Sequence, residues 1–165
     1  MDPADIVFVG PGDVFSAGDI QFTVLGPLCG SDSENEQSLV ILACMKGHTI
    51  LLTGDIGAPT EKELADAYPA GTISCDILQV PHHGSRYSSS AALLDAASPS
   101  LAVVQVGINQ YGHPAEETLA RYKEAGIEVL RNDHCGAVGI DLSRNRVLVM
   151  IRPEAQEGPS AAAVE

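Results

Sequence analysis

Apolar runs and helical patterns alternate along most of the chain, and their order predicts the fold class. Residues 5–9 and 20–25 are predicted to be strands, and the apolar runs at 38–45 and 49–53 to form a hairpin. Further along, the predicted helices are 59–68, 88–97 and 114–125, and the predicted strands are 75–80, 101–106, 127–130, 137–142 and 147–151. A strand-rich first part followed by alternating strands and helices and a closing hairpin indicates an α+β or α/β layered domain.

Length and composition place these elements in one domain. The chain has 165 residues, about one domain's worth, and 45% of them are apolar. The domain is predicted to cover residues 1–152, whereas residues 153–165 turn to Pro, Glu, Gly and Ala, a composition typical of a disordered tail. No apolar run approaches the roughly 20 residues that a transmembrane helix needs, so no membrane segment is predicted in this chain.

The charge balance limits the kinds of site that this chain can offer. Its formal net charge is −13 and its pI is about 4.5, which disfavours a module that binds nucleic acid by charge alone. A carboxylate-rich pocket that holds cations agrees better with this balance. The four cysteines are scattered and contain no Cys-x-x-Cys pair, which argues against a cysteine-based zinc site.

Three segments place Asp or His at the end of an apolar strand, in a turn that contains Gly or Pro. They are Leu51-Leu52-Thr53-Gly54-Asp55, Val80-Pro81-His82-His83-Gly84-Ser85 and Tyr111-Gly112-His113-Pro114. Imidazole is a common metal ligand and a proton carrier near pH 7. Because loops at the carboxyl ends of neighbouring parallel strands converge, the fold could bring Asp55 and His113 together although they lie far apart in the sequence.

Each of these residues also has an ordinary structural explanation. Asp55 could cap a helix or stabilise a turn, and a loop histidine is usually just solvated. His113 could cap the helix that follows it, with Pro114 as the first helical residue. Taken one at a time, the residues leave both explanations open.

Taken as an ordered set, the segments resemble a known family. The order Ser38-Leu39-Val40, Thr53-Gly54-Asp55, Val80-Pro81-His82-His83-Gly84-Ser85, Tyr111-Gly112-His113-Pro114 and Gly136-Ala137 is similar to the C-terminal part of the metallo-β-lactamase-like domain of ComEC family DNA-uptake proteins. The similarity runs from about residue 14 to about residue 142. It implies an α+β, metallo-β-lactamase-like αββα layered fold, of which this chain would be only the C-terminal portion.

The resemblance also implies a chemistry. Such a domain would be a metal-dependent hydrolase, a nuclease or phosphodiesterase linked to DNA uptake in competence, within a longer bacterial inner-membrane protein. In the complete domain a two-metal site of Zn or Mn would activate water against DNA or another phosphoester substrate. By position, Asp55 resembles the carboxylate that bridges the metals, and His113 a histidine ligand of the second metal. His82 and His83 resemble a catalytic pair that donates a proton or contacts the phosphate.

One expected motif is missing. The superfamily's His-x-His-x-Asp-His has no counterpart among the five histidines, which are His48, His82, His83, His113 and His134. A catalytic zinc needs about three protein ligands, so a chain with only Asp55 and His113 is predicted to be inactive alone. Three interpretations stay open: part of a longer ComEC-type protein, part of a stand-alone soluble metallo-hydrolase, or a non-catalytic module. Such a module would interact, as a homodimer, through an exposed apolar sheet face.

Overall fold

Seven strands form one mixed sheet whose spatial order is the order of the chain in the computed structural model, which describes residues 6–141 and 148–151. The strands are β1 (Val14–Ala17), β2 (Ile20–Gly26), β3 (Val40–Met45), β4 (His48–Leu52), β5 (Ile77–Gln79), β6 (Leu101–Val104) and β7 (Glu128–Arg131). Strands β1 to β4 are antiparallel neighbours, and β4 to β7 are parallel. The predicted α+β class is therefore confirmed.

Three helices make the crossovers between the parallel strands. They are α1 (Ala58–Ala67), α2 (Ala91–Ala97) and α3 (Glu116–Glu124), and a short helix α4 (Asn132–Cys135) follows β7. Because each helix returns the chain to the start of the next strand, the carboxyl ends of β4, β5 and β6 share one edge of the sheet. Within the described part of the chain, no helix is long and apolar enough to cross a membrane.

Two predicted hairpins are present. The first joins β3 and β4 through Lys46 and Gly47, whose positive φ angles of 52° and 82° are those of a tight hairpin turn. The second pairs β8 (Val138–Asp141) with β9 (Leu148–Ile151) in a separate two-stranded sheet. The ends of these two predicted strands next to the connecting turn, residues 142 and 147, lie outside the described residues. The predicted tail at 153–165 also lies outside them.

The first predicted strand is wrong. Residues 6–9 are not a strand, and residue 5 lies outside the described part; the edge strand is β1, which pairs with β2. A turn precedes β1, where the amide of Asp13 donates to the carbonyl of Gly10. The stacking of Phe15 on Phe22, with ring centroids 5.1 Å apart, then gives β1 its side-chain contact. Apolar content alone could not distinguish residues 6–9 from β1.

The core lies between the helices and one face of the sheet. Leu64 of α1, Leu93 of α2 and Tyr122 of α3 are almost fully buried and pack with Leu51 and Leu78 from the strands. The opposite face of β2, β3 and β4 carries an apolar groove of about 200 Å³. It is lined by Ile20, Phe22, Ala43, Met45, Ile50 and Leu52.

A buried polar clamp fixes the segment 85–90, which follows the two adjacent histidines. Glu61 of α1 is 0% exposed, and its two carboxylate oxygens accept the backbone amides of Ser89 and Ser90 at 2.5 and 2.6 Å. From α3, Arg121 donates to the carbonyl of Ser89 at 2.9 Å, and the Tyr122 hydroxyl donates to the Ser89 hydroxyl at 2.9 Å. Burial raises the pKa of Glu61, while these hydrogen bonds and Arg121 act in the other direction. The clamp thus ties segment 85–90 to both helices.

The change Glu61→Gln is expected to lower the free energy of unfolding by about 1–3 kcal/mol, because one buried amide of segment 85–90 would face an NH₂ group instead of an oxygen. Chemical denaturation followed by circular dichroism measures this effect. Glu63 is exposed on the same helix and provides the control, since Glu63→Gln should change stability by less than about 0.5 kcal/mol. Equal stability of the two variants would contradict the clamp.

Candidate functional site

The four residues singled out in the sequence converge at the carboxyl edge of the parallel strands. Asp55 follows β4, His82 and His83 follow β5, and His113 lies in the loop after β6. The Nε2 atom of His83 is 3.5 Å from a carboxylate oxygen of Asp55. The rings of His82 and His113 are 5.7 Å apart between centroids and meet edge to face. Their catalytic and metal-binding roles remain predictions.

Hydrogen bonds to the side chain of Gln79, the last residue of the neighbouring strand β5, hold the turn that carries Asp55. The amides of Thr53 and Gly54 donate to the side-chain oxygen of Gln79 at 3.1 and 3.3 Å. Gly54 has a φ of +57°, and a Cβ there would lie 2.7 Å from the Ser38 side chain. The Asp55 amide in turn donates to the Ser38 hydroxyl at 3.2 Å. Only glycine permits this close approach, so the Thr-Gly-Asp sequence has a local structural reason.

The two adjacent histidines have an unusual backbone. His82 and His83 have φ angles of 49° and 54°, and Gly84 continues in the same left-handed region at +83°. Non-glycine residues persist there only where the surroundings hold them. Here the amide of His82 donates to the carbonyl of Gly54 at 3.0 Å, and the carbonyl of His82 accepts the amide of Ser85 at 2.9 Å. The turn therefore fixes the backbone positions to which both imidazole side chains are attached.

The hydrogen bond at Nδ1 of His83 determines whether Nε2 of the neutral ring is a donor or an acceptor. Its Nδ1 atom lies 2.7 Å from the carbonyl oxygen of Gln105, which can only accept, so Nδ1 carries the proton. In the neutral ring, Nε2 is then an acceptor, and it faces the carboxylate of Asp55 at 3.5 Å. Two acceptors at this distance need a proton, a water molecule or a cation between them. The Asp55–His83 pair is thus arranged to hold one of these.

His113 lies in a loop that is folded around an asparagine. The side chain of Asn109 accepts the amide of His113 at 3.0 Å and donates to its carbonyl at 2.8 Å. The Tyr111 ring stacks on the imidazole with centroids 5.8 Å apart. Among the described residues, the buried Nδ1 atom of His113 has no hydrogen-bond partner. An unsatisfied nitrogen beside an acid–histidine pair is consistent with a ligand atom.

The surroundings keep His113 in the form that can bind a metal. Desolvation by burial lowers its pKa below the usual 6.5, and the charges of His82, His83 and Arg86 lower it further. The carboxylate of Asp55 has the opposite effect. A metal ligand must be the neutral imidazole, so a lowered pKa makes His113 available at neutral pH.

Two structural explanations of these residues are wrong. The N-cap of α1 is Gly57, without a side-chain cap, so Asp55 does not cap that helix. The N-cap of α3 is Ala115, also without a side-chain cap, so His113 does not cap it. Pro114 is not the first helical residue either, because α3 begins at Glu116.

The carboxylate and imidazole groups at this edge of the sheet could supply part of the ligand set of a metal centre. Imidazole nitrogens and a carboxylate suit Zn or Mn. However, among the residues that the structure describes, no group of three or more His, Cys, Asp or Glu side chains is placed to hold one metal ion. His48 and His134 contact other acids, Asp76 at 3.6 Å and Asp133 at 3.9 Å.

Two clefts flank the histidines, and the sequence did not single out Arg86, Tyr87 and Arg121, which line one of them. One of about 640 Å³ is lined by His82, Arg86, Tyr87 and Arg121 among others. The second, of about 350 Å³, is lined by His83, His113 and Tyr111 among others. Arg86 and Tyr87 directly follow the histidine motif, which is the only sequence signal that could have pointed to them.

Gly84 provides a test of the packing between the two histidine loops. A Cβ at Gly84 would lie 2.5 Å from the Cβ of Pro114, and its φ is also positive. Gly47 has a similar φ of +82° with nothing within 4 Å. Gly84→Ala is therefore expected to destabilise the protein by about 1–3 kcal/mol more than Gly47→Ala. Both variants would have a strained backbone, but only Gly84→Ala would also introduce a steric clash. Thermal or chemical denaturation checks this, and equal losses would refute the close contact.

The second prediction for the site concerns the titration of His113. In metal-free protein, its imidazole should titrate below pH 6.5, because burial and neighbouring positive charge disfavour the protonated form. Asp55→Asn should shift the midpoint lower still, since Asp55 raises the pKa of His113. NMR of the histidine ring protons against pH measures both. An unchanged midpoint in the variant would show that Asp55 does not act on this ring.

Comparison with known proteins finds relatives that are named as ComE operon or competence proteins. No family model matches the chain. ComE operon protein 3 of Bacillus subtilis is 35% identical over 129 residues, which is 77% of this chain and 16% of that protein. Competence protein ComA of Neisseria gonorrhoeae is 37% identical over 115 residues, 69% of this chain and 16% of that protein. The chain thus spans about a sixth of the length of these relatives.

A solved structure shares the fold. CmlA, a diiron β-hydroxylase from Streptomyces venezuelae, superposes with a TM-score of 0.50 and 15% identity, over 77% of this chain and 33% of that one. At this identity the likeness concerns the fold alone. The relatives confirm the resemblance seen in the motifs, and the observed strands and helices confirm the α+β class. In sequence, this chain belongs to the ComEC family of competence proteins.

Proposed function

We propose that the chain is the C-terminal part of a metal-dependent hydrolase domain that cleaves phosphoester bonds of DNA during uptake. The main support is the convergence of Asp55, His82, His83 and His113 at one edge of the sheet, where ligands bind in such folds. One relative is named a competence protein and the other a ComE operon protein, which favours DNA as the substrate class.

Each residue has a role that its contacts support. Asp55 and His113 would hold the metal, Zn or Mn, whose chemistry is to lower the pKa of a bound water. His83 presents Nε2 to the site because Nδ1 is held by the Gln105 carbonyl, so it can take up or release a proton there. His82 lies against His113 and lines the larger cleft, where it can contact a phosphate.

The remaining metal ligands would come from outside this chain. The described residues supply fewer than the three protein ligands of a typical catalytic zinc. The relatives are several times longer than this chain, and we infer that residues 1–152 work within a longer bacterial inner-membrane protein. This chain alone is expected to be inactive.

In the complete domain, Asp55→Asn and His113→Gln should each reduce metal-dependent cleavage of DNA by about 100-fold or more, because losing even an indirect support of a metal ligand costs 10- to 100-fold. The assay follows hydrolysis of a labelled oligonucleotide with added Mn²⁺ or Zn²⁺. Asp66→Asn is the matched control, since Asp66 is exposed and paired with Lys62 on α1. Full activity of both site variants would overturn the proposal.

A second candidate is a non-catalytic module that dimerises through its sheet. The apolar groove on β2, β3 and β4 favours it, because an exposed apolar face is a common interaction surface. Sedimentation equilibrium distinguishes the two. A dimer that Ile50→Glu converts to a monomer would support the module, and a wild-type monomer would exclude it. Ile50 lines the groove, whereas Gln21→Glu on the exposed part of β2 should leave the mass unchanged.

A further inference from the structure

The larger cleft beside His82 contains an unusual share of the chain's positive charge. Its volume of about 640 Å³ is in the range of small-ligand sites. Arg86 and Arg121, two of the nine Lys and Arg residues of the chain, line it together with Glu36, whose carboxylate accepts hydrogen bonds from the amides of Gly57 and Thr60. In a protein with a net charge of −13, this local concentration points to an anionic ligand.

Arg86 is free to bind such an anion. Its side chain is 57% exposed, and its ion pair with Glu117 is 4.0 Å long between two largely exposed groups. Such a pair contributes little and exchanges readily. A phosphate in the cleft would therefore replace a weak contact at small cost.

Arg121 adds a second positive charge to the cleft, and hydrogen bonds hold it in place. Its guanidinium donates to the carbonyls of Ser88 and Ser89, at 2.7 and 2.9 Å, and to the Thr118 hydroxyl at 2.9 Å. These acceptors are neutral, and no described carboxylate lies within 4 Å of it. Its charge is thus held rigidly at the cleft, and the buried carboxylate of Glu61 offsets part of it without a contact pair.

Tyr87 supplies a flat apolar face on a fixed backbone. The residue is 76% exposed. Its amide donates to the Ser85 hydroxyl at 3.3 Å, and its carbonyl accepts the amide of Ala58 at 2.9 Å. An exposed aromatic ring on an anchored backbone is what base stacking requires.

We propose that this cleft is the binding subsite for a nucleotide of single-stranded DNA, with Arg86 on a phosphate and Tyr87 stacked on a base. This inference rests on the proposed function, because His82 belongs to both the cleft and the candidate site. The ligand is a single strand because paired and stacked bases have no free face for Tyr87. The overall negative charge makes binding weak and strongly dependent on salt.

Fluorescence anisotropy with a fluorescein-labelled oligothymidylate of about ten nucleotides tests the subsite on the whole 165-residue chain. Tyr87→Leu should weaken binding by about 5- to 150-fold, the effect of losing one stacked base, whereas Tyr87→Phe should stay within about twofold. A structural role of Tyr87 would not separate these two variants in this way.

The salt dependence of binding tests the proposed contact between Arg86 and a phosphate. Arg86→Gln should weaken binding several-fold and reduce the slope of log affinity against log salt by about 1, as expected for one lost phosphate contact. Lys62→Gln removes the same charge from the exposed surface of α1 and should leave the slope unchanged. Equal slopes for the two variants would overturn the role of Arg86.

Other results also decide the question. Binding by the wild-type chain weaker than about 1 mM, or duplex binding as tight as single-strand binding, would refute the subsite. If hydrolysis in the complete domain requires Asp55 but Tyr87→Leu and Arg86→Gln bind normally, the hydrolase proposal stands and the subsite is wrong. If the two variants lose binding while the complete domain shows no metal-dependent hydrolysis, the subsite stands and the hydrolase proposal fails.

Discussion

The position of the candidate site depends on a buried carboxylate. Glu61 is enclosed by α1 and segment 85–90, and its oxygens satisfy two amides that the sheet and helices leave without partners. Arg121 satisfies carbonyls of the same segment from α3. A buried carboxylate is costly unless it is fully hydrogen-bonded, and here every bond goes to the loop that follows the histidines. Polar burial, rather than apolar packing, therefore sets where the histidine turn lies.

That anchoring explains how strain is tolerated at the histidines. Three successive left-handed residues, His82, His83 and Gly84, are unfavourable on their own. They are held at one end by Gly54 and at the other by the clamped segment, and Gly84 contacts Pro114 closely. The same turn thus meets both the loop that carries Asp55 and the loop that carries His113. Three loops meet because one short turn touches the other two.

The molecule is strongly acidic, whereas the cleft beside His82 contains two arginines. The chain is strongly acidic, yet the edge that carries Asp55 also gathers three histidines and two arginines. The acids elsewhere keep polyanions from binding indiscriminately, and the arginines provide a local attraction. The proposed subsite would bind an anionic polymer by contacts in a cleft rather than by a broad basic surface.

The sequence by itself determined the α+β class, the order of strands and helices, the central hairpin and the four residues of the candidate site. It could do so because apolar periodicity and glycine-containing turns are local signals. It misplaced the first strand, since β1 is defined by its pairing with β2 rather than by its own pattern. It left Glu61, Arg86, Tyr87 and Arg121 unassigned. Burial, hydrogen-bond partners and the cleft arise from residues distant along the chain, so only the tertiary structure decided them.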